Sequence, residues 1–123
     1  MTLILVGAGG FFGAISRYLV DGWVSSATGG GFPWGTLVVN VTGSFVLGFL
    51  FVLLTERMTA GPWLRTSLTI GFVGAYTTFS TLSLETYKLI EGRAYMMAAA
   101  NGVGSLVLGL VAIYLGVVTG RAV

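Results

Sequence analysis

Charge is missing where a soluble fold needs it most. No Asp, Glu, Lys or Arg occurs between Gly22 and Thr55, nor between Ala94 and Gly120. Soluble domains carry about 25% charged residues, whereas this chain carries 8% and is 55% hydrophobic. A helix crossing a hydrocarbon core of roughly 30 Å needs about 20 apolar residues. Four stretches meet that need, Leu3–Val20, Trp34–Leu54, Leu64–Ile90 and Ala94–Val118. The short links between them leave no room for a soluble domain. The expected architecture is therefore all-α, one transmembrane domain over residues 1–123 with four spans.

The first stretch has no basic leader, and Arg17 falls where a cleavable apolar core should be ending, so it reads as a retained helix. Trp23, Trp34 and Trp63 fall at expected span ends, as an interfacial aromatic belt does. Cysteine and histidine are both absent. Disulfides, thiol chemistry and Cys sites are thereby excluded, along with the commonest neutral-pH proton shuttle. With no paired intramembrane carboxylates either, no acid–base or nucleophilic machinery is available, and an enzyme is not expected.

The third span departs most from a lipid-filling sequence. Five of the seven positions from Thr77 to Ser83 carry a hydroxyl, Gly71 and Gly74 precede them, and Glu85 follows. Such a cluster inside an apolar segment suits a helix that breaks, its freed backbone groups facing protein or water rather than lipid. Thr77, Thr81 and Glu85 follow an i, i+4 spacing and are expected to share one face.

Two other spans bring similar stripes. Thr36, Asn40 and Ser44 recur every four residues in span two, and Asn101, Ser105 and Gly109 do so in span four. An amide in lipid is costly, so Asn40 must face a cavity or bond to another helix. Phe79, among the hydroxyls, either packs or turns its slightly positive ring edge towards an anion. In span one, Gly9 and Gly13 form a GxxxG pair that permits close helix approach. Arg17 either snorkels to headgroups or pairs inside the protein, with Asp21 at helical spacing as a partner. Three polar stripes converging on one place predict a path for a small polar species.

Basic residues are balanced between the two sides. Arg57, Arg65 and Arg121 fall on one, and Arg17, Lys88 and Arg93 towards the other. Topology normally follows an excess of Lys and Arg on the cytoplasmic side. A chain without that excess can insert both ways, which allows an antiparallel dimer.

Gly9-Gly-Phe-Phe-Gly-Ala-Ile-Ser-Arg-Tyr18, Gly35-Thr-Leu-Val-Val-Asn-Val-Thr-Gly-Ser44 and Gly71-Phe-Val-Gly-Ala-Tyr-Thr-Thr-Phe-Ser-Thr81 with Glu85 stand in an order and spacing that resembles the Fluc/CrcB family of fluoride channels. The resemblance implies an antiparallel dual-topology dimer in a prokaryotic plasma (inner) membrane, releasing cytoplasmic fluoride passively through two pores. It also implies a structural sodium ion at the dimer centre, held by backbone carbonyls of Gly74 and Thr77. Asn40, Phe79, Ser80, Thr81, Leu82, Glu85 and Ser105 would line the fluoride path, and Arg17 a basic vestibule. No nucleic-acid partner is implied.

The chain departs from the family pattern at Leu82, where a second phenylalanine is usual, and at Ala75, where glycine is common. The span-four positions also differ, so Ser105 alone is carried over. These departures fit a homodimer, or one half of a heterodimer whose partner supplies the missing groups. A small multidrug exporter would need a carboxylate in mid-span one, and none precedes Asp21. A membrane scaffold would leave the polar stripes idle. Restoring the aromatic by Leu82→Phe is expected to give a folded protein that still passes fluoride. A monodisperse gel-filtration peak and fluoride efflux from liposomes check this; aggregation would show a core repacked around leucine.

Overall fold

A computed structural model describes residues 1–123. The chain is entirely helical, with α1 (Thr2–Thr28), α2 (Trp34–Val52), α3 (Pro62–Thr66), α4 (Gly74–Tyr76), α5 (Phe79–Glu91) and α6 (Tyr95–Ala122). Two π-helical segments, Leu53–Arg57 and Ser67–Val73, extend α2 and join α3 to α4. Three helices, Thr2–Thr28, Trp34–Arg57 and Tyr95–Ala122, are long and apolar enough to cross a membrane. The remaining stretch expected to span forms a bent helix instead of a continuous one: residues 62–76 run helically, Thr77 and Thr78 are extended, and α5 resumes at Phe79.

The first span is longer than its apolar pattern indicates, because α1 continues through Asp21 and Trp23 to Thr28. Arg17 therefore lies well inside a helix rather than near its end. The link to α2 turns at Gly29 (φ 78°) and Gly31 (φ 92°), backbone angles that L side chains rarely adopt. Trp34 and Trp63 do stand at the starts of helices, while Trp23 lies within α1.

Small residues make the interior, as expected where helices associate by close backbone approach. Gly9 and Gly13 face the third span: a Cβ at Gly9 would lie 2.5 Å from the Ser67 carbonyl oxygen, and one at Gly13 would collide with that of Phe72. Gly71 answers from the other side, against Val6. Ser67 Oγ donates to the Leu5 carbonyl at 2.7 Å in the same seam. The GxxxG pair thus joins two spans of one chain.

A second seam joins α2 to α6. Gly48 packs on Ile113, Gly116 on Phe45 and Gly120 on Val52, so the two helices run parallel in register. Beyond them, Arg121 donates to Glu56 through two bonds of 3.0 and 3.1 Å, and Arg57 donates to the Arg121 carbonyl. Both charged side chains of that clasp are exposed, so water screens it and it contributes little to stability. The large apolar residues, among them Leu3, Phe11, Phe12, Leu106 and Tyr114, point outward.

The seam predicts an asymmetry between glycines of α1. Gly13→Ala would overpack it at a cost of about 1–3 kcal/mol. Gly7, which has nothing within 4 Å of an added Cβ, would accept alanine and gain up to roughly 1 kcal/mol of helix propensity. Unfolding midpoints of the two variants in detergent, falling for Gly13→Ala alone, check this.

Candidate functional site

Everything at the site starts from two extended residues. Thr77 (φ −80°, ψ 155°) ends the first half of the broken span, and Thr78 (φ −147°, ψ 114°) begins the second. Neither Gly71 nor Gly74 makes the break. Gly74 is helical (φ −61°, ψ −35°), and Gly71 serves the approach of α1. The break falls on β-branched threonines, residues that favour extended backbone.

Breaking a helix away from water leaves N–H and C=O groups that must find partners. Asn40 of α2 supplies two at once: its Oδ1 accepts from Thr78 N at 2.8 Å, and its Nδ2 donates to the Thr78 carbonyl at 3.1 Å. The side-chain amide thus replaces a backbone neighbour. Thr78 supplies the next partner itself, its Oγ1 capping α5 by accepting from Thr81 N at 3.2 Å. Arg17 supplies a third, Nε donating to the Ala75 carbonyl at 3.1 Å. Of the two expectations for Arg17, pairing inside the protein holds, but the partner is a carbonyl rather than Asp21. The Asp21 carboxylate instead accepts from Ser25 at 3.3 Å.

These contacts release particular oxygens. In an unbroken helix the Gly74 carbonyl would accept from Thr78 N, and the Thr77 carbonyl from Thr81 N. Asn40 and Thr78 Oγ1 take those two donors. The Gly74 and Thr77 carbonyls are therefore left without their helical donors.

A cavity of about 230 Å³ opens beside the break, lined by Asn40, Ser44, Thr77, Thr78, Phe79 and Leu82 among others. Asn40, Phe79 and Leu82 thus stand together as the sequence indicates, although Phe79 is 81% exposed and packs little within its own chain. Ser80 is exposed, with its hydroxyl 3.4 Å from that of Thr78. Thr81 lies below it, accepting from the Thr78 hydroxyl at 3.1 Å.

The expected Thr77–Thr81–Glu85 line is cut. Thr77 is itself extended at the break, its hydroxyl donating back to Val73, so it is out of the helical register of α5. Only Thr81 and Glu85 share a face of α5. Glu85 opens into a separate recess of about 310 Å³ with Pro33 and Lys88. Its Oε2 accepts from the buried Thr36 hydroxyl at 2.9 Å.

The parallel register of α2 and α6 places Gly109 against Ser44. One turn back along both helices, the same register brings Ser105 to the level of Asn40, and a further turn brings Asn101 to that of Thr36. Asn101 is fully buried and its Nδ2 donates to Thr86 Oγ1 at 3.0 Å. Glu85 Oε1, Asn101 Oδ1 and Ser105 Oγ are buried without a partner in the chain. Three stripes do converge, in layers.

Thr36, Thr78 and Asn101 belong to this assembly as firmly as the residues expected there. The four-residue periodicity marks Thr36 and Asn101 as inward polar positions but does not say what they meet. Thr78 carries the clearest signal, a cap hydroxyl three residues before Thr81.

Comparison with known proteins places the chain. Residues 4–117 match the family model described as CrcB-like protein, Camphor Resistance (CrcB). A protein of Hahella chejuensis named fluoride-specific ion channel FluC is 44% identical over 121 residues, covering 98% of this chain and 95% of the relative. One of the same name from Rhizobium meliloti is 45% identical over 120 residues, covering 98% and 96%. Another, from Magnetococcus marinus, is 42% identical over 123 residues and covers both chains in full.

The double bond to Thr78 predicts the behaviour of Asn40→Asp. That change keeps size and one acceptor but sets a carboxylate oxygen against the Thr78 carbonyl in place of a donor. A loss of about 1–3 kcal/mol is expected, read as a lower unfolding midpoint in detergent. Asn40→Asp melting with the wild type would remove the pairing from the account.

Proposed function

The chain belongs to the CrcB-like family, and from that membership we propose that it is a fluoride-specific ion channel, working passively and without enzymatic chemistry. The observation that carries the reading is the neutral, polar-lined cavity at the helix break, set in a chain whose relatives along its whole length are named fluoride-specific channels.

Fluoride must exchange strong hydration for protein groups and then leave again. A fixed cation in the narrowest part would hold it too tightly, since conduction needs binding weak enough to release. The cavity offers the second N–H of the Asn40 amide, the Ser44 hydroxyl and the Phe79 ring, with no Lys or Arg among its lining residues; the Thr77 and Thr78 hydroxyls donate within the chain, to Val73 and Thr81. Ser80 and Thr81 continue the hydroxyl run along α5 towards Glu85. The partnerless Ser105 Oγ, Asn101 Oδ1 and Glu85 Oε1 leave polar capacity for water or an ion at successive layers. Arg17 is within reach of the break from behind and adds positive potential there without lining the cavity. Where a second phenylalanine is usual, Leu82 offers only an apolar wall.

The assembly we propose has four membrane crossings per subunit and two subunits in opposite orientations, in a bacterial inner membrane. The chain by itself exposes Phe79 and many large apolar residues, which suits burial against lipid and a second copy. A homodimer is favoured over a heterodimer by the balanced basic residues.

A sodium ion at the dimer centre fits the residues present. The chain has no cluster of three His, Cys, Asp or Glu that could hold a metal. The Gly74 and Thr77 carbonyls, deprived of their helical donors, are the neutral oxygen ligands a hard monovalent cation takes. When bound, the ion would supply a central positive charge and a tie between subunits. This chain's part is to keep both carbonyls free, through Asn40 and the Thr78 hydroxyl.

Purified protein reconstituted alone into liposomes is expected to release fluoride rapidly and chloride not at all, with release dependent on sodium rather than a bulky organic cation. Well-folded protein that releases neither ion would overturn the homodimer and point to a required second subunit. Equal fluoride and chloride release would overturn the selectivity.

A further inference from the structure

The contacts so far hold the downstream edge of the break and one carbonyl upstream of it. Tyr76, the last helical residue before the break, has its own fixings. Its hydroxyl lies 2.9 Å from Thr42 Oγ1 on α2. The Thr42 hydroxyl is already a donor to Val38, at 2.7 Å, so Tyr76 is the donor in that pair. The Tyr76 ring lies over Gly43, where an added Cβ would stand 3.0 Å from Cδ2. It also stacks on Phe72, with centroids 6.1 Å apart and planes at 8°. Gly43 and Val73 line both the small pocket around Tyr76 and the cavity at the break.

We propose that Thr42 and Tyr76 form a latch between α2 and the upstream half of the broken span, which positions Thr77 and Thr78 and so sets the width of the ion path. Asn40 and Thr42 lie two residues apart on α2. One grips the chain after the break and the other before it, so α2 spans the gap as a splint. Without the latch, only packing of the Tyr76 ring and the Thr77 methyl against Gly43 would hold the upstream edge to α2. The Thr77 and Thr78 groups lining the cavity would then sample a wider range of positions. Tyr76 and Thr42 are positioning residues here, because neither hydroxyl has a free donor to offer an ion. The inference rests on the channel reading for its effect on conduction, but not for the latch itself.

The two partners are not equivalent, and that yields the test. Tyr76→Phe removes the donor, keeps the ring on Phe72, and leaves Thr42 satisfied by Val38. Thr42→Val removes the acceptor and strands the tyrosine hydroxyl among apolar groups, the costlier error. Amide hydrogen exchange of the segment covering residues 74–78 is measured in detergent, beside fluoride efflux from liposomes. Tyr76→Phe is expected to speed exchange there about fivefold, the factor of one neutral hydrogen bond, and to slow efflux. Exchange in α6 should stay unchanged. Thr42→Val should be worse, by about tenfold or more against wild type. The double variant should return to the level of Tyr76→Phe, and Thr42→Ser, which keeps the acceptor, should behave as wild type. Unchanged exchange in Tyr76→Phe, or strictly additive effects in the double variant, would overturn the latch. Faster exchange with undiminished efflux would overturn its role in positioning the path. Absence of efflux from the wild type would sink the channel reading, seen before any variant is compared, and the exchange data would still decide the latch.

Discussion

One side chain makes the broken helix possible. An interruption at Thr77 and Thr78 deprives backbone groups of their partners far from any helix end, and each buried, unpaired group costs about 1–3 kcal/mol. Asn40 answers with an amide that mimics a peptide, accepting from Thr78 N and donating to its carbonyl. Serine or threonine at that position could form one of those bonds with difficulty, and leucine neither. The requirement explains a carboxamide in an otherwise apolar helix without appeal to ion contact. The same amide also lines the cavity, so scaffold and cavity share a residue.

From that constraint the neighbouring arrangement follows. With Thr78 N diverted, the Gly74 carbonyl is free. With the Thr78 hydroxyl capping α5, the Thr77 carbonyl is free as well. Oxygens are thus exposed by side chains that occupy their donors, while Arg17 covers the Ala75 carbonyl between them. A break built this way leaves selected acceptors open and satisfies the rest.

Much of this was legible in residue pattern. Uncharged runs announced membrane-length helices, and the hydroxyl cluster located the break to within a few residues. The stripes Thr36–Asn40–Ser44 and Asn101–Ser105–Gly109 pointed inward as their spacing indicates, and Asn40, Phe79 and Leu82 do share a cavity. What pattern obscured were matters of register and partner. Thr77, Thr81 and Glu85 keep an i, i+4 spacing in the chain, yet Thr77 is itself extended at the break and so shares no helical face with the other two. Asp21 is at helical spacing from Arg17, but a carbonyl at the break competes for the guanidinium and wins. Gly71 and Gly74 read as breakers, whereas Gly71 is there for the backbone of α1.

The division has a physical basis. The sequence by itself determined what depends on local composition and periodicity: an all-helical chain with apolar spans, a weak point among threonines, and polar faces turned from lipid. These follow from the cost of placing charge and unpaired polar groups in hydrocarbon, paid residue by residue. Only the tertiary structure decided which distant groups meet, such as Asn40 with Thr78, Arg17 with Ala75, Thr42 with Tyr76, and Gly9 and Gly13 with the third span. Those pairings depend on the register in which helices pack, and register is set by glycine contacts such as Gly48 on Ile113 and Gly13 on Phe72. No window along one helix contains that information, because the surface it must fit belongs to another.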